Sequence, residues 1–277
     1  MPNIVFLNIS HETKKYQNQE SVQRATWCQS NEKIKFKWIY GNSKILFEDE
    51  IDKIYVPVVD IFDNILLKTI YAIDFVSKKY DPDFIVRCNT NTYVDTNLLL
   101  EEIKNIDCQD YLYGHKSNHN DLATNKSIEF ISGAMMVMPR KTYNKIKVKL
   151  ASSNYGPDDV SLSFALANTG TKLINCSRCD ISHGDDFYPR SHYRIKHSRV
   201  SNFTISRMKN VHQIYMKEKD IYKISTRNFM KFQIFEFIFI LFEKKSDVQK
   251  EIILVVIVKR ILDRYKKILN HLISIFN

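Results

Sequence analysis

Two patterns of apolar and polar positions alternate through most of the chain. From Lys33 to Tyr40, lysine and apolar side chains alternate with the period of two residues that is typical of a β-strand. From Asn64 to Tyr80, apolar residues recur every three or four positions, so they share one face of a helix. Short apolar runs such as Phe84–Val86 predict buried strands. The chain is therefore predicted to alternate between strands and helices.

This order of elements favours an α/β fold, in which helices flank a mostly parallel sheet. The strands are predicted at residues 4–9, 33–40, 54–59, 84–86, 111–115, 130–138, 172–174 and 192–197. The helices are predicted from about residue 19 and at residues 64–80, 96–105, 139–150 and 160–167, and residues 116–127 read as a polar loop.

A polar stretch follows the strand at residues 84–86. Asn89, Thr90, Asn91 and Asp95 stand there, with the compact, oxygen-rich side chains that hold a cation or a sugar. Ligands of parallel sheets bind beyond the carboxyl ends of the strands. The sequence therefore predicts a ligand site at this edge of the sheet.

The character of the chain changes beyond about residue 206. Apolar positions between residues 261 and 276 recur at helical spacing, with Lys and Arg between them. Residues 221–277 contain eleven Lys and Arg against five Asp and Glu, so 11 − 5 = +6 of the net charge of +10 lies there. We expect a domain at residues 1–206 and a basic amphipathic helical extension at residues 207–277. The extension would bind an anionic membrane surface, or else form a dimerisation or core-covering helix pair.

The cysteines and the apolar runs bear on the cellular compartment. An odd, scattered set of five cysteines favours reduced thiols. Three residues precede the first predicted strand, and no uncharged apolar run reaches the roughly 20 residues of a membrane-spanning helix. We expect a cytoplasmic protein, attached peripherally to the inner membrane face. The net charge also suggests a nucleic-acid binder, but no such motif is recognised, and we expect no nucleic-acid partner.

Two short motifs could carry chemistry, and each has a purely structural alternative. Asp158-Asp159 stands at a predicted helix start, where acids commonly complement the helix dipole. As function, such a carboxylate serves as a general base towards a hydroxyl. Ser132-Gly133 interrupts an apolar strand, either to ease packing or to let a ligand approach the backbone.

Basic residues offer two further candidates. His192, Arg194, Lys196 and His197 form either a solvated edge strand or a group of cations around an anionic leaving group. Arg24 lies on a predicted helix, whose neighbouring Trp27 is expected in the core.

Five motifs carry a resemblance over about residues 3–200. They are Arg24-Ala-Thr-Trp27, Asp60-Ile-Phe-Asp-Asn-Ile-Leu-Leu-Lys-Thr69, Arg87-Cys-Asn-Thr-Asn-Thr-Tyr-Val94, Ser132-Gly-Ala-Met-Met-Val137 and Asp158-Asp-Val160. In this order they resemble the fringe and β-1,3-galactosyltransferase family of inverting, nucleotide-sugar-dependent glycosyltransferases. The resemblance implies a GT-A-type, Rossmann-like fold.

The resemblance also implies roles for particular residues. Asp159 matches the catalytic base of the family, and Arg24 lies where the nucleotide is held. The loop Asn89-Thr90-Asn91 occupies the position of the metal-binding acidic triplet. One of His183, His192 or His197 matches the late histidine that completes the metal site.

The triplet departs from the family because Asn89, Thr90 and Asn91 carry no charge. Amide oxygens bind Mn²⁺ or Mg²⁺ less well than carboxylates do. A weak metal site could survive, with the candidate ligands Asn91, Asp95, His192 and His197. Alternatively, the cation is dispensable, and Arg87, Arg194 and Lys196 stabilise the diphosphate directly. We favour the second reading.

The resemblance implies transfer of a hexose or N-acetylhexosamine, with a galactose type favoured, from a UDP-sugar to a glycan or lipid-linked glycan in surface polysaccharide synthesis. We expect a donor side and an acceptor side formed by Ser132, Gly133 and Asp158. The donor side would comprise Arg24, Arg87, Asn89, Thr90, Asn91, Arg194 and Lys196. An inactive glycan-binding relative is the alternative.

Overall fold

The computed structural model describes residues 2–49, 52–121, 126–146, 157–181, 190–195 and 201–217. The first elements are β1 (Ile4–Ile9), α1 (Lys14–Ala25), β2 (Ile34–Tyr40), β3 (Phe47–Glu48), β4 (Lys53–Tyr55), α2 (Ile65–Tyr80), β5 (Phe84–Asn89), β6 (Thr92–Val94) and α3 (Thr96–Lys104). They are followed by β7 (Tyr111–Asp121), β8 (Lys126–Pro139), α4 (Arg140–Tyr143), α5 (Asp158–Ala167), β9 (Lys172–Asn175), β10 (Arg178–Ile181), β11 (His192–Ile195) and α6 (Ser201–Lys217).

The main sheet has the strand order β3-β4-β2-β1-β5-β8-β7-β9. Strands β4, β2, β1 and β5 are parallel, whereas β8 runs antiparallel to both β5 and β7. Ile9 at the end of β1 pairs with Ile39 on one side and Asn89 on the other, so the loops after these strands leave the sheet at one edge. The expected α/β fold is confirmed, with a mixed sheet.

The hydrophobic core lies between α2 and the main sheet and extends to α5. The apolar face predicted for α2 is confirmed, since Ile70, Ile73 and Val76 are buried against Leu7 and Ile39 of the sheet. Each such buried side chain stabilises the fold by about 1.5–3 kcal/mol. The core therefore fixes the sheet, whose edge carries the polar loop.

A second sheet has the order β10-β11-β6. Strand β11 follows the predicted alternation from His192, whereas β6 and β10 were not predicted. Both are short, with three and four residues, and too few apolar positions to show a period. Strand β6 begins directly after the polar loop, so this small sheet continues from the candidate site.

The predicted loop at residues 116–127 was wrong for the residues that the structure describes there. Strands β7 and β8 form a long antiparallel hairpin that pairs Lys116 with Ile131 and extends to Asp121 opposite Lys126. The pairing uses backbone hydrogen bonds, which polar residues form as readily as apolar ones. The hydrophobic pattern therefore carries no signal for this extension.

Helix α6 crosses the predicted domain boundary at residue 206. It packs against α1 and β11, with Met208 and Val211 buried. The first structural unit ends at Tyr222, and the remainder of the proposed extension lies outside the described residues. Among the helices described here, none is long and apolar enough to cross a membrane.

Candidate active site

The guanidinium group of Arg87 lies at the centre of the candidate site, near the carboxyl end of β5. The residue is 2% exposed. Its Nη1 donates to Asn89 Oδ1 at 2.7 Å and to the carbonyl oxygen of Gly133, and its Nη2 donates to Asp158 Oδ2 at 2.7 Å. One cation thus joins the polar loop, strand β8 and the start of α5.

Gly133 leaves the space that this guanidinium group fills. A β-carbon at Gly133 would lie 2.4 Å from Arg87 Nη1 and 3.2 Å from Asp159 Cβ, which is too close for any larger residue. Its N–H donates to Asp159 Oδ2 at 2.8 Å. A close approach to the Gly133 backbone was one of the two sequence interpretations. The group that makes this approach is a side chain of the protein itself.

The neighbouring backbone of β8 is also bonded by side chains. Ile131 N–H donates to Ser163 Oγ on α5 at 3.0 Å, and the Ala134 carbonyl accepts from Thr92 Oγ1 on β6 at 2.7 Å. Ser132, predicted on the acceptor side, is 8% exposed and its Oγ accepts from Ala134 N–H at 3.4 Å. This stretch of β8 is therefore held by α5 and the small sheet.

Two adjacent carboxylates open α5, after Pro157 at the N-cap position. Asp159 accepts the Gly133 N–H on Oδ2 and the Val160 N–H on Oδ1 at 3.0 Å. A carboxylate offers about four acceptor positions, so Asp159 retains capacity for a substrate hydroxyl. Burial raises the pKa of Asp158, the positive charge of Arg87 opposes this, and the charge of Asp159 adds to it.

The polar loop after β5 is fixed mostly by contacts within the protein. Thr90 Oγ1 donates to Gln19 Oε1 at 2.6 Å, and Asn91 Nδ2 donates to the Ile195 carbonyl at 2.9 Å. Gln23 on α1 donates to the carbonyl oxygens of residues 89 and 92, both at 3.2 Å. Asn91 Oδ1 is buried, and no partner for it lies in the described part of the chain.

The candidate metal ligands that the structure describes are Asn91, Asp95 and His192, and they offer few free oxygens to Mn²⁺ or Mg²⁺. Asn89 Oδ1 accepts from a guanidinium group, and Asp95 Oδ1 caps α3 by accepting from the N–H groups of Asn97 and Leu98. Asn91 Oδ1 and Asp95 Oδ2 remain, whereas these cations favour several oxygens with negative charge among them. In the described ranges, no cluster of three His, Cys, Asp or Glu side chains could hold a metal ion.

His192, one of those candidate ligands, lies inside the protein. It is 0% exposed, its Nδ1 lies 4.0 Å from Cys176 Sγ, and its Nε2 has no partner among the described residues. Burial lowers its pKa well below the usual value, and the positive charges of Arg178, His115 and Arg194 act in the same direction. The surroundings of His192 therefore favour the uncharged form of its imidazole.

Arg194 lies two positions further along β11, opposite Thr92 of β6. It is partly buried and forms no ion pair with the residues that the structure describes. Lys196, His197 and His183, which complete the predicted basic group, lie outside the described residues.

Arg24 is bound by protein partners at the end of α1. Its Nε donates to Glu20 Oε1 at 3.0 Å, and its guanidinium carbon lies 3.5 Å from the ring centroid of Trp38. Its Nη1 lies 3.9 Å from Asp52 Oδ2. Trp27 is buried, as expected. A role for Arg24 in holding the nucleotide stays a prediction.

A buried ion pair at the same sheet edge was not predicted. Lys68 of α2 is 1% exposed and donates to Asp60 Oδ1 at 2.6 Å and to the Ser10 carbonyl at 2.5 Å. Asp60 Oδ2 accepts the Gly41 N–H at 3.0 Å, so the pair ties together the loops after β1, β2 and β4. The available signal was a lysine on the apolar face of the predicted helix.

The solved structures that resemble this chain include glycosyltransferases. A glycosyltransferase involved in the glycosylation of the major capsid of PBCV-1 has a TM-score of 0.52 and 10% identity, covering 76% of this chain and all of that one. The galactosyltransferase LgtC, solved with donor and acceptor sugar analogues, has a TM-score of 0.46 and 9% identity over 76% and 95% of the chains. The mannosyltransferase PcManGT from Pyrobaculum calidifontis, solved with GDP-Man and Mn²⁺, has a TM-score of 0.44 and 10% identity over 80% and 66%.

The first of these likenesses shows the fold. The described residues have the mixed α/β fold of GT-A-like glycosyltransferases, with helices on a large central sheet. No family model and no curated protein matches the chain. Membership of the fringe and β-1,3-galactosyltransferase family therefore stays a prediction.

Proposed function

We propose that this chain is a nucleotide-sugar-dependent glycosyltransferase that inverts the configuration of the transferred sugar. The observation that carries the proposal is the joint position of the polar loop and the acidic start of α5, which Arg87 links through Asn89 and Asp158. Asp159 stands next to this link, at the edge where parallel sheets bind ligands. The fold likeness to a glycosyltransferase supports the same reading.

Asp159 is the proposed general base. Its carboxylate accepts the proton of an acceptor hydroxyl, whose oxygen attacks the anomeric carbon from the face opposite the nucleotide. A carbon–oxygen bond to the acceptor forms, the anomeric bond to the diphosphate breaks, and the bonding electrons leave with the nucleoside diphosphate. The Gly133 N–H holds this carboxylate in position.

The donor end of the site is assigned to the loop at residues 89–91 and to the late basic residues. Arg87 is buried and paired with Asp158, so it holds the loop rather than contacting the diphosphate. Arg194 lies opposite Asp180 of β10 but forms no ion pair within the described ranges, so it is the better charge for that contact. Lys196 would assist it. We assign UDP as the carrier nucleotide and a hexose or N-acetylhexosamine, of galactose type, as the sugar.

The variant Asp159→Asn tests the base. We expect it to lower UDP release from UDP-galactose, with water or a polysaccharide extract as acceptor, by about a hundredfold or more. UDP affinity, measured by calorimetry, should stay unchanged. Asp74→Asn is the matched control, because Asp74 pairs with Lys78 at the surface of α2. Retained turnover in Asp159→Asn would remove the assignment. If the unaltered chain binds UDP-sugars but never releases UDP, it is instead an inactive glycan-binding relative.

We also propose that the basic extension brings the enzyme to the inner membrane face, where a lipid-linked glycan of surface polysaccharide synthesis is its acceptor. The support is the excess of positive charge at residues 221–277, with apolar residues at helical spacing. Removal of residues 225–277 should abolish co-sedimentation with vesicles rich in phosphatidylserine. Unchanged sedimentation would contradict the proposal.

A further inference from the structure

Oxygen atoms surround the Arg87 guanidinium group much as they surround a bound cation. The contacts are an amide oxygen of Asn89, the carbonyl oxygen of Gly133 and a carboxylate oxygen of Asp158. Side-chain amides, backbone carbonyls and carboxylates are the protein ligands that hard divalent cations take. In this site the positive charge among the three oxygens is the guanidinium group of Arg87.

The space around this charge is built for it. The guanidinium group fills the position that a β-carbon of residue 133 would occupy, since Nη1 would lie 2.4 Å from that carbon. Arg87 is 2% exposed and the Asp158 side chain 12% exposed, so little water reaches the pair. A buried charge with oxygen partners on three sides is an integral part of the site.

Two of the oxygens in the loop after β5 are already bonded within the protein, which leaves Asn91 Oδ1 and Asp95 Oδ2. Asn89 Oδ1 and the Thr90 hydroxyl are engaged with Arg87 and Gln19. A dication bound beside them would compete with the Arg87 guanidinium group for the same oxygens. Asp158, the carboxylate that Arg87 contacts, already has its counter-ion, and Asp159 accepts the N–H groups of Gly133 and Val160.

We propose that the Arg87 guanidinium group takes the place that a divalent cation would have among these protein oxygens, and that it organises the site without contacting the diphosphate. It joins the polar loop to the acidic start of α5, and the nucleoside diphosphate binds without a metal ion. The first half concerns the fold of the site alone, whereas the second half rests on the proposed function.

Chemical rescue tests the first half. Arg87→Ala leaves a cavity lined by the three oxygens, and millimolar ethylguanidinium should refill it and raise the midpoint of thermal unfolding. The same compound should leave unaltered protein and Arg140→Ala unchanged, because Arg140 is 42% exposed and leaves no enclosed cavity. Arg87→Lys, which keeps the charge, should lie between Arg87→Ala and the unaltered protein in stability. No rescue of Arg87→Ala, together with a stability of Arg87→Lys equal to that of Arg87→Met, would overturn this half.

UDP binding to the unaltered chain tests the second half. Its Kd should change by less than about twofold when Mn²⁺ is replaced by a chelator, a difference of under about 0.5 kcal/mol. Mn²⁺ alone should not broaden the NMR signals of residues 89–95. UDP binding that requires Mn²⁺, or such broadening, would overturn the proposal. An absence of UDP binding in both conditions would refute the proposed function and the second half, and the rescue experiment would still decide the first.

Discussion

Two arginines stand at opposite ends of β5, and both bind acidic residues. Arg87, near the carboxyl end, pairs with Asp158 and is 2% exposed. Arg140, beside the first residue of the strand, pairs with Asp81 and Asp83, and its side chain is 42% exposed. Water screens the second group, and exposed pairs of this kind contribute about 0–1 kcal/mol. An arginine–aspartate ion pair therefore has different consequences at the two ends of β5. The buried pair holds the candidate site together, whereas the exposed pair adds little to stability.

The largest expected difference follows from removing each charge. Arg87→Met should lower the free energy of unfolding by about 3–5 kcal/mol, because it leaves Asp158 buried without a counter-ion. Arg140→Met should cost less than about 1 kcal/mol. Urea unfolding at neutral pH measures both. The deficit of Arg87→Met should shrink as the pH falls towards the ordinary pKa of a carboxyl group, since Asp158 can then take up a proton. Equal costs for the two variants would contradict the comparison.

A smaller effect is expected from the glycine that makes room for Arg87. Gly133→Ala should cost about 1–3 kcal/mol, because its β-carbon would overlap the guanidinium group. In an Arg87→Ala background this cost should largely disappear. Gly170→Ala is the control, since nothing lies within 4 Å of its β-carbon position and its cost comes from a φ of 82°. Its cost should be the same in both backgrounds, and an undiminished cost for Gly133→Ala there would disprove the overlap.

The smallest effect is expected at His192, a buried basic group that forms no ion pair with the residues that the structure describes. Because the pKa of His192 is lowered in the folded state, the unfolded chain takes up a proton first as the pH falls below about 6.5. Stability is therefore lost towards acid pH. His192→Leu should reduce that loss between pH 7 and 5.5 by up to about 1 kcal/mol. An unchanged slope of stability against pH would show that the pKa of His192 is not lowered in the folded protein.

Local pattern predicted much of the fold. The strand predicted at Lys33–Tyr40 and the helix predicted at residues 64–80 are confirmed as β2 and α2. Burial of one face of α2 leaves a period in the sequence, whereas β2 is buried on both faces and includes the buried side chain of Lys37. The hairpin extension to Asp121 was missed, since polar edge residues pair through the backbone and leave none.

The sequence predicted which residues form the candidate site but not the contacts between them. The polar loop and the acids at the start of α5 do come together, yet through a contact between residues 71 positions apart. Nothing local to Arg87 indicates that its partner will be Asp158. The packing of the Arg87 guanidinium group against Gly133 likewise depends on the folded structure and leaves no local signal in the sequence.

Thr92 connects the small sheet to the main sheet. Its hydroxyl donates to the Ala134 carbonyl of β8 at 2.7 Å, while its backbone lies opposite Arg194 in the small sheet. Thr92 thus links β11, which carries Arg194, to β8, which lies beside Asp159. A valine at position 92 has nearly the same shape but no hydroxyl, so it would remove this hydrogen bond without opening a cavity. The position of Arg194 relative to Asp159 would then be fixed by one hydrogen bond fewer.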